Sequence, residues 1–405
     1  MRAERRKGVW NNKRVLGKVF TALVVMVAAV VSAWADDVPA GPKLLLSAQR
    51  LRRLKRDRER KTVRWVDFEN RVNSVPDSPE RGFELALYYV VTGDEVRGRE
   101  AVEWAIKRQD RRVMPLVLDW CKPLLTDEQR KKLRDYLVTV KQVPTIREER
   151  DIWFQAIATG AEHGEPTDID LRRVVSGPNY EDLYALCELI YAVRANTHKD
   201  LREVDAHFFS ILPELLLLSA KPSELNSPPW MLHVAALALV EIDPNLPASQ
   251  FLQSWALEDS QLLREGPGVA YELLWADPYL PGVGYQNMDT WLYDDHARLY
   301  ARSGWEPNSC WVSISAKGVE QENCPPNWET ETVHFGHLTL LPMTERCVEI
   351  PHLTDHNESV VVWKLRPGET VMHGKGKEQR SYEADAAGMW RPGANVEGRV
   401  CAAAH

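Results

Sequence analysis

Between residues 44 and 275 apolar side chains recur every three or four positions, in short bursts separated by turn-forming residues. That spacing predicts short helices joined in antiparallel pairs. Ser78-Pro79-Glu80 predicts a helix start, with serine as the cap, proline at the first position, and Phe83, Ala86, Leu87 and Val90 on the apolar face. Thr92-Gly93-Asp94 predicts its end and the next beginning, Gly93 in a left-handed turn and Asp94 capping a helix that carries Val102, Ala105 and Ile106. Thr126 and Gln129 have the spacing of a capping box, and Leu133, Tyr136, Leu137 and Val140 then share one face. The pattern returns over 180–195, 201–217, and from Trp230 across Asp243-Pro244-Asn245 to Trp255. No signature recurs at a fixed period, which favours an irregular ring of helical hairpins over a regular solenoid.

The period changes after Asp277, where Pro278, Pro281, Gly282 and Gly284 punctuate the chain. Beyond them Val312, Ile314 and Ala316 alternate with Ser313 and Ser315, and Val360-Val361-Val362-Trp363 is an unbroken strand-forming run. The fold class expected is mainly α plus β, an (α/α) helical-hairpin toroid over 36–278, a linker over 279–289, and a small antiparallel β-sandwich over 290–405.

Residues 1–35 stand apart. Seven basic residues precede an apolar run from Val19 to Val31, and Ala33-Trp34-Ala35 fits a cleavage site. Thirteen residues fall short of the roughly 20 needed to span a bilayer. A cleaved signal peptide is therefore expected, with export to the periplasm or the extracellular space and no membrane span afterwards. Its removal takes the formal charge from −7 to −13, which counts against nucleic acid as a partner. Nine Lys or Arg residues lie between Arg50 and Arg64, expected to form a solvated helix, with an anion site as the alternative. Export would permit disulfides. Cys310 and Cys324 flank an expected hairpin and are the favoured pair, whereas Cys121 and Cys187 sit on helical patterns as small core residues.

Four segments resemble the heparinase II/III-like and alginate-lyase-like polysaccharide lyases. They are LALYYVVTGDEVRGREAVEWA (85–105), LDWCKPLLTDEQRKKL (118–133), LYARSGWEPNSCWVSISAKG (299–318) and DHNESVVVW (355–363), in the family's order. The family's Asn-Asn or Asn-His pair before Trp, and its glycine-rich lead to a catalytic tyrosine, are not found in recognisable form. The resemblance implies β-elimination on an anionic, uronate-containing polysaccharide. That reaction needs the sugar carboxylate neutralised, a base for the C5 proton, and an acid for the leaving O4.

Candidates follow from those needs. In AEHGE (161–165) His163 can neutralise or abstract, and in SGPNYEDLY (176–184) Tyr180 or Tyr184 can serve as base and acid. Their plainer readings are a loop histidine and amphipathic core positions. REGPGVAYELLW (264–275) offers Glu265 and Tyr271 around a glycine-rich turn, or simply a helix cap. HFGH (334–337) offers His334 from the strand region, while metal binding there is left open because i and i+3 on a strand face opposite ways. No cofactor is expected, since no phosphate loop, HExxH or GxSxG occurs. The competing classes are a non-catalytic carbohydrate- or protein-binding scaffold on the same architecture, and a glycosidase using two carboxylates.

Overall fold

The structure is a computed structural model that describes residues 41–136, 145–161, 179–197, 199–294, 298–315, 318–326, 333–335, 338–340, 347–350, 360–363, 370–373 and 380–383. Two units are distinguished, Met1–Pro42 and Lys43–His405, and all described elements belong to the second. The expected signal segment lies outside the described residues. Among those residues no helix is long and apolar enough to cross a membrane.

Helices fill the described chain from Ala48 to Trp275. The first pair is α1 (Ala48–Arg60) and α2 (Val63–Ser74). Of the basic stretch, Arg50 and Arg53 are buried, both paired with Glu241, so only part of that helix is a solvated face. Helices α3 (Arg81–Thr92) and α4 (Glu95–Arg108) form the expected hairpin. Gly93 takes the left-handed conformation at φ 80°, and Asp94 accepts from the N–H groups of Val96 and Arg97. The predicted start of α3 is corrected. Glu80, not Ser78, is the cap residue of a helix that begins at Arg81, and the buried Ser78 hydroxyl lies just ahead of it, accepting from the Glu80 N–H and from Arg71 and donating to Glu84.

The chain continues through α5 (Val113–Trp120), α6 (Asp127–Asp135) and α7 (Ile146–Thr159). The Thr126–Gln129 capping box is present, and Thr145–Glu148 forms a second one. Leu133 is buried as expected, and α6 ends at Asp135, with residues 137–140 outside the described segments. Helices α8 (Tyr180–Thr197), α9 (Ala206–Ser219), α10 (Pro222–Asn226), α11 (Trp230–Ile242), α12 (Pro247–Ala256) and α13 (Gly268–Trp275) complete the set.

Packing follows a cyclic order. Helix α2 lies against α3, α3 against α5, α5 against α7, α7 against α8, α8 against α11, α11 against α13, and α13 against α2. Several of these helices are apolar on nearly every side. Helix α5 reads VMPLVLDW and α11 reads WMLHVAALALVEI, with most positions buried in both. A helix apolar all round must have neighbours all round, which is why these two occupy the interior.

After the proline-glycine cluster the chain turns to strand, as its composition predicts. β1 (Trp291–Asp294), β2 (Arg298–Arg302), β3 (Trp311–Ser315) and β4 (Gly318–Glu322) form an antiparallel meander. Ser313 is buried along with Val312 and Ile314, so β3 is covered on both faces rather than alternating between core and solvent. Trp311 explains part of that cover, since its Nε1 donates to the Leu218 carbonyl of α9. Cys310 and Cys324 form the expected disulfide, and Cys121 and Cys187 are buried free thiols. Three two-stranded hairpins follow, β5 (Val333–Phe335) with β6 (Leu338–Leu340), β7 (Cys347–Ile350) with β8 (Val360–Trp363), and β9 (Thr370–His373) with β10 (Arg380–Glu383).

Candidate functional site

An open pocket of about 880 Å³ lies where helices begin. Glu80 at the cap of α3 and Arg112 and Val113 at the start of α5 line it. So do Arg147, Arg150 and Asp151 in the first two turns of α7, and Glu181 and Tyr184 in those of α8. Trp230 opens α11, and Tyr271 sits in the first turn of α13. Among the described residues, six helices thus direct their N-terminal ends at one space. Each brings the partial positive charge of a helix start to the pocket, although several of the N–H groups are already capped, by Asp110 at α5 and by Thr145 at α7. Helix α4 alone meets the pocket with its C-terminal turn, through Trp104 and Arg108.

The floor is a buried ion cluster. Glu188 has no exposure, and it occupies a lone acidic position in the apolar run LYALCELIYAV. Arg112 grips its carboxylate, with Nη2 donating to Oε1 at 2.6 Å and Nε to Oε2 at 3.0 Å. Arg150 Nη1 donates to Oε2 at 3.0 Å, and its other nitrogens hold Asp151 at 2.8 and 2.9 Å. Burial alone would raise the Glu188 carboxyl, but the two guanidiniums outweigh it and hold the group below its ordinary value. Asp151 goes the other way, raised by burial against the pull of Arg150.

Tyr184 and Tyr271 are part of this floor. Helical spacing of four puts Tyr184 above Glu188 on α8 and Tyr271 above Trp275 on α13. Tyr271 Oη accepts from Arg112 Nη1 at 2.8 Å and donates to Glu80 Oε2. Tyr184 Oη accepts from Trp275 Nε1 at 2.9 Å, and its ring meets that of Tyr271 edge-on. The Arg112 guanidinium lies over the rings of Tyr271 and Phe83, 4.9 and 5.0 Å from their centroids. Burial pushes both phenols well above their ordinary range, and the neighbouring carboxylates Glu188 and Glu80 add to the shift. Each hydroxyl is therefore held in its neutral form. It can donate a proton, but it is poorly suited to remove one from a sugar carbon.

Of the residues expected from the sequence, the structure brings Tyr184 and Tyr271 together. Tyr180 does not line the pocket. It is partly buried against the core and hydrogen-bonded to Glu224, and burial raises its phenol as well. Glu265 is likewise not among the lining residues. His163 lies outside the described residues. His334 falls on β5, paired with Thr339, and its side chain also lies outside what is described. Among the described residues no cluster of three or more metal-ligating side chains occurs.

The sequence reading missed Arg112, Arg150, Glu188 and Glu80. One signal was available, since a glutamate inside an apolar helix must find a cation or lose its charge. Which arginine answered it was not legible, because Arg112 is 76 residues away. No protein-family model matches the chain, and no curated protein matches it.

Proposed function

We propose that the protein is an exported carbohydrate-binding protein whose pocket takes a carboxylated sugar chain, on the architecture of the toroid-and-sandwich polysaccharide lyases. The observation that carries this reading is the convergence of six helix N-termini and several arginines on one open pocket with tryptophan at its edge. The cyclic order of helix neighbours supports a closed ring of hairpins, and the meander with its hairpins is compatible with a sandwich. The basic and apolar leader ending at Ala33-Trp34-Ala35 supports export and cleavage.

Binding is favoured over cleavage because the pocket's tyrosine hydroxyls are already engaged and held neutral. A second reading, β-elimination, draws on the same Tyr271. In that reading the neutral phenol between Arg112 and Glu80 would exchange its bond to Glu80 for one to the leaving oxygen, with a lining carboxylate as the base.

One experiment separates the two. The purified protein is titrated calorimetrically with alginate, heparan, hyaluronan and pectin fragments, and the same mixtures are followed in the ultraviolet for unsaturated ends. Saturable binding without absorbance supports the binding protein. Absorbance that disappears in Tyr271→Phe replaces it with the lyase. Silence in both channels for every polymer removes the carbohydrate reading.

A further inference from the structure

The turn between α4 and α5 carries charge that the buried cluster does not use. Its sequence RQDRR (108–112) places three guanidiniums within five residues. Arg112 turns down onto Glu188. Gln109 adopts a left-handed backbone, φ 56°, which ends α4 and redirects the chain. Asp110 is engaged with the start of α5, its Oδ1 accepting from the N–H groups of Arg112 and Val113. Arg108 and Arg111 remain exposed in the pocket lining and form no ion pair among the described residues, although Arg111 lies near enough to Glu148 to help lower its carboxyl. Their neighbours on the rim differ, since Arg147 is paired with Glu181 and Asp182, and Arg150 with Asp151.

One helical turn before Arg108, on the same face of α4, Trp104 also lines the pocket. Its indole is seated on α3 at Gly82. A Cβ at that position would collide with the six-membered ring, so only glycine lets the indole lie there. The result is a fixed aromatic platform with one guanidinium a turn above it and a second across the following bend. A sugar ring stacked on such a platform would have both exposed arginines of the same pocket lining to meet a carboxylate on it. The lining also carries Asp77, Glu80, Asp110, Asp151 and Glu181, which suits one weak negative charge per sugar better than a polyphosphate.

We infer that Trp104, Arg108 and Arg111 form a subsite for one uronate residue, its ring on the indole and its carboxylate held by the two guanidiniums, an assignment that rests on the pocket being a carbohydrate site.

The test uses calorimetry with hexamers of mannuronate, galacturonate and a glucuronate-containing chain, the same hexamers after carboxyl reduction, and a sulfated neutral hexamer. Wild type is expected to prefer a uronate hexamer over its reduced form. Arg108→Gln and Arg111→Gln, exposed positions that leave the fold intact, should each weaken that hexamer by roughly tenfold or more, as loss of a charged hydrogen bond requires, and leave the reduced form unchanged. Trp104→Ala should weaken both forms, Trp104→Phe less so, and Gly82→Ala should behave like Trp104→Ala in protein that still melts cooperatively. If wild type binds a uronate hexamer and the two arginine variants match it, the subsite is wrong while the carbohydrate reading stands. Equal affinity for reduced and charged hexamers, or preference for the sulfated one, also overturns the uronate assignment. If wild type binds none of the hexamers, both readings fall.

Discussion

Replacing Glu188 with glutamine tests the cluster on which the pocket rests. The carboxylate is fully buried and is the shared counter-charge of Arg112 and Arg150. Glutamine keeps the shape and one carbonyl acceptor, but it leaves two buried guanidiniums with only Asp151 and Glu80 nearby, Glu80 at 3.6 Å from Arg112. Breaking a buried ion pair by removing one partner costs about 3 kcal/mol or more. With a urea slope of about 3 kcal/mol/M, that moves the unfolding midpoint down by roughly 1 M at neutral pH. The pH dependence supplies a second check. Because the folded carboxyl is held below its ordinary value of 4.5, its stabilisation is complete above that value and is lost as the pH falls through the lower, folded one. The gap between wild type and Glu188→Gln should therefore narrow as the pH is lowered. Urea melts across that range decide the matter. A midpoint shift under ~0.3 M at neutral pH, or a gap that stays constant into acid, would refute the reasoning.

Three further outcomes follow from the same physics. Tyr271→Phe removes a hydroxyl that accepts from Arg112 and donates to Glu80, and should cost about 1.5–3 kcal/mol in urea melts. A loss near zero would mean that these contacts do not hold the floor together. Arg302 is buried, pushed down to about 10 by burial, has no carboxylate pair among the described residues, and leaves Nε and Nη1 without partners. Arg302→Met should therefore be neutral or stabilising by up to ~2 kcal/mol, and a clear loss in thermal melting would contradict this. Burial pushes the Cys121 thiol up to about 12 and raises Cys187 as well. Maleimide labelling with peptide mapping should leave both untouched in native protein and modify them after unfolding, and rapid native labelling would show an open core.

How much was legible can be read from particular residues. Capping at Asp94 and Thr126, the turn at Gly93 and the change of period after Asp277 are local events, set by side chains within a few positions of each other. The Cys310–Cys324 pair was within reach for a similar reason, since only 14 residues separate its ends. Ser78 still accepts from the Glu80 N–H, but Arg71 and Glu84, seven and six positions away, also engage its hydroxyl, and the helix itself begins only at Arg81. Tyr180 and Tyr184 looked equivalent at a spacing of four, but packing sent the first toward Glu224 and the second over Glu188.

The sequence by itself determined that helices give way to strands after Asp277, several of the helix caps and turns, and which faces must be covered, because each depends on short-range geometry and on the period of apolar residues. Only the tertiary structure decided which helix ends meet, and with them the pairing of Arg112 with Glu188 and the setting of Tyr271 between Arg112 and Glu80. Those pairings join residues from 76 to 191 positions apart. Long-range ion pairs are selected by the low dielectric of a closed interior, and that interior exists only once the helices have packed.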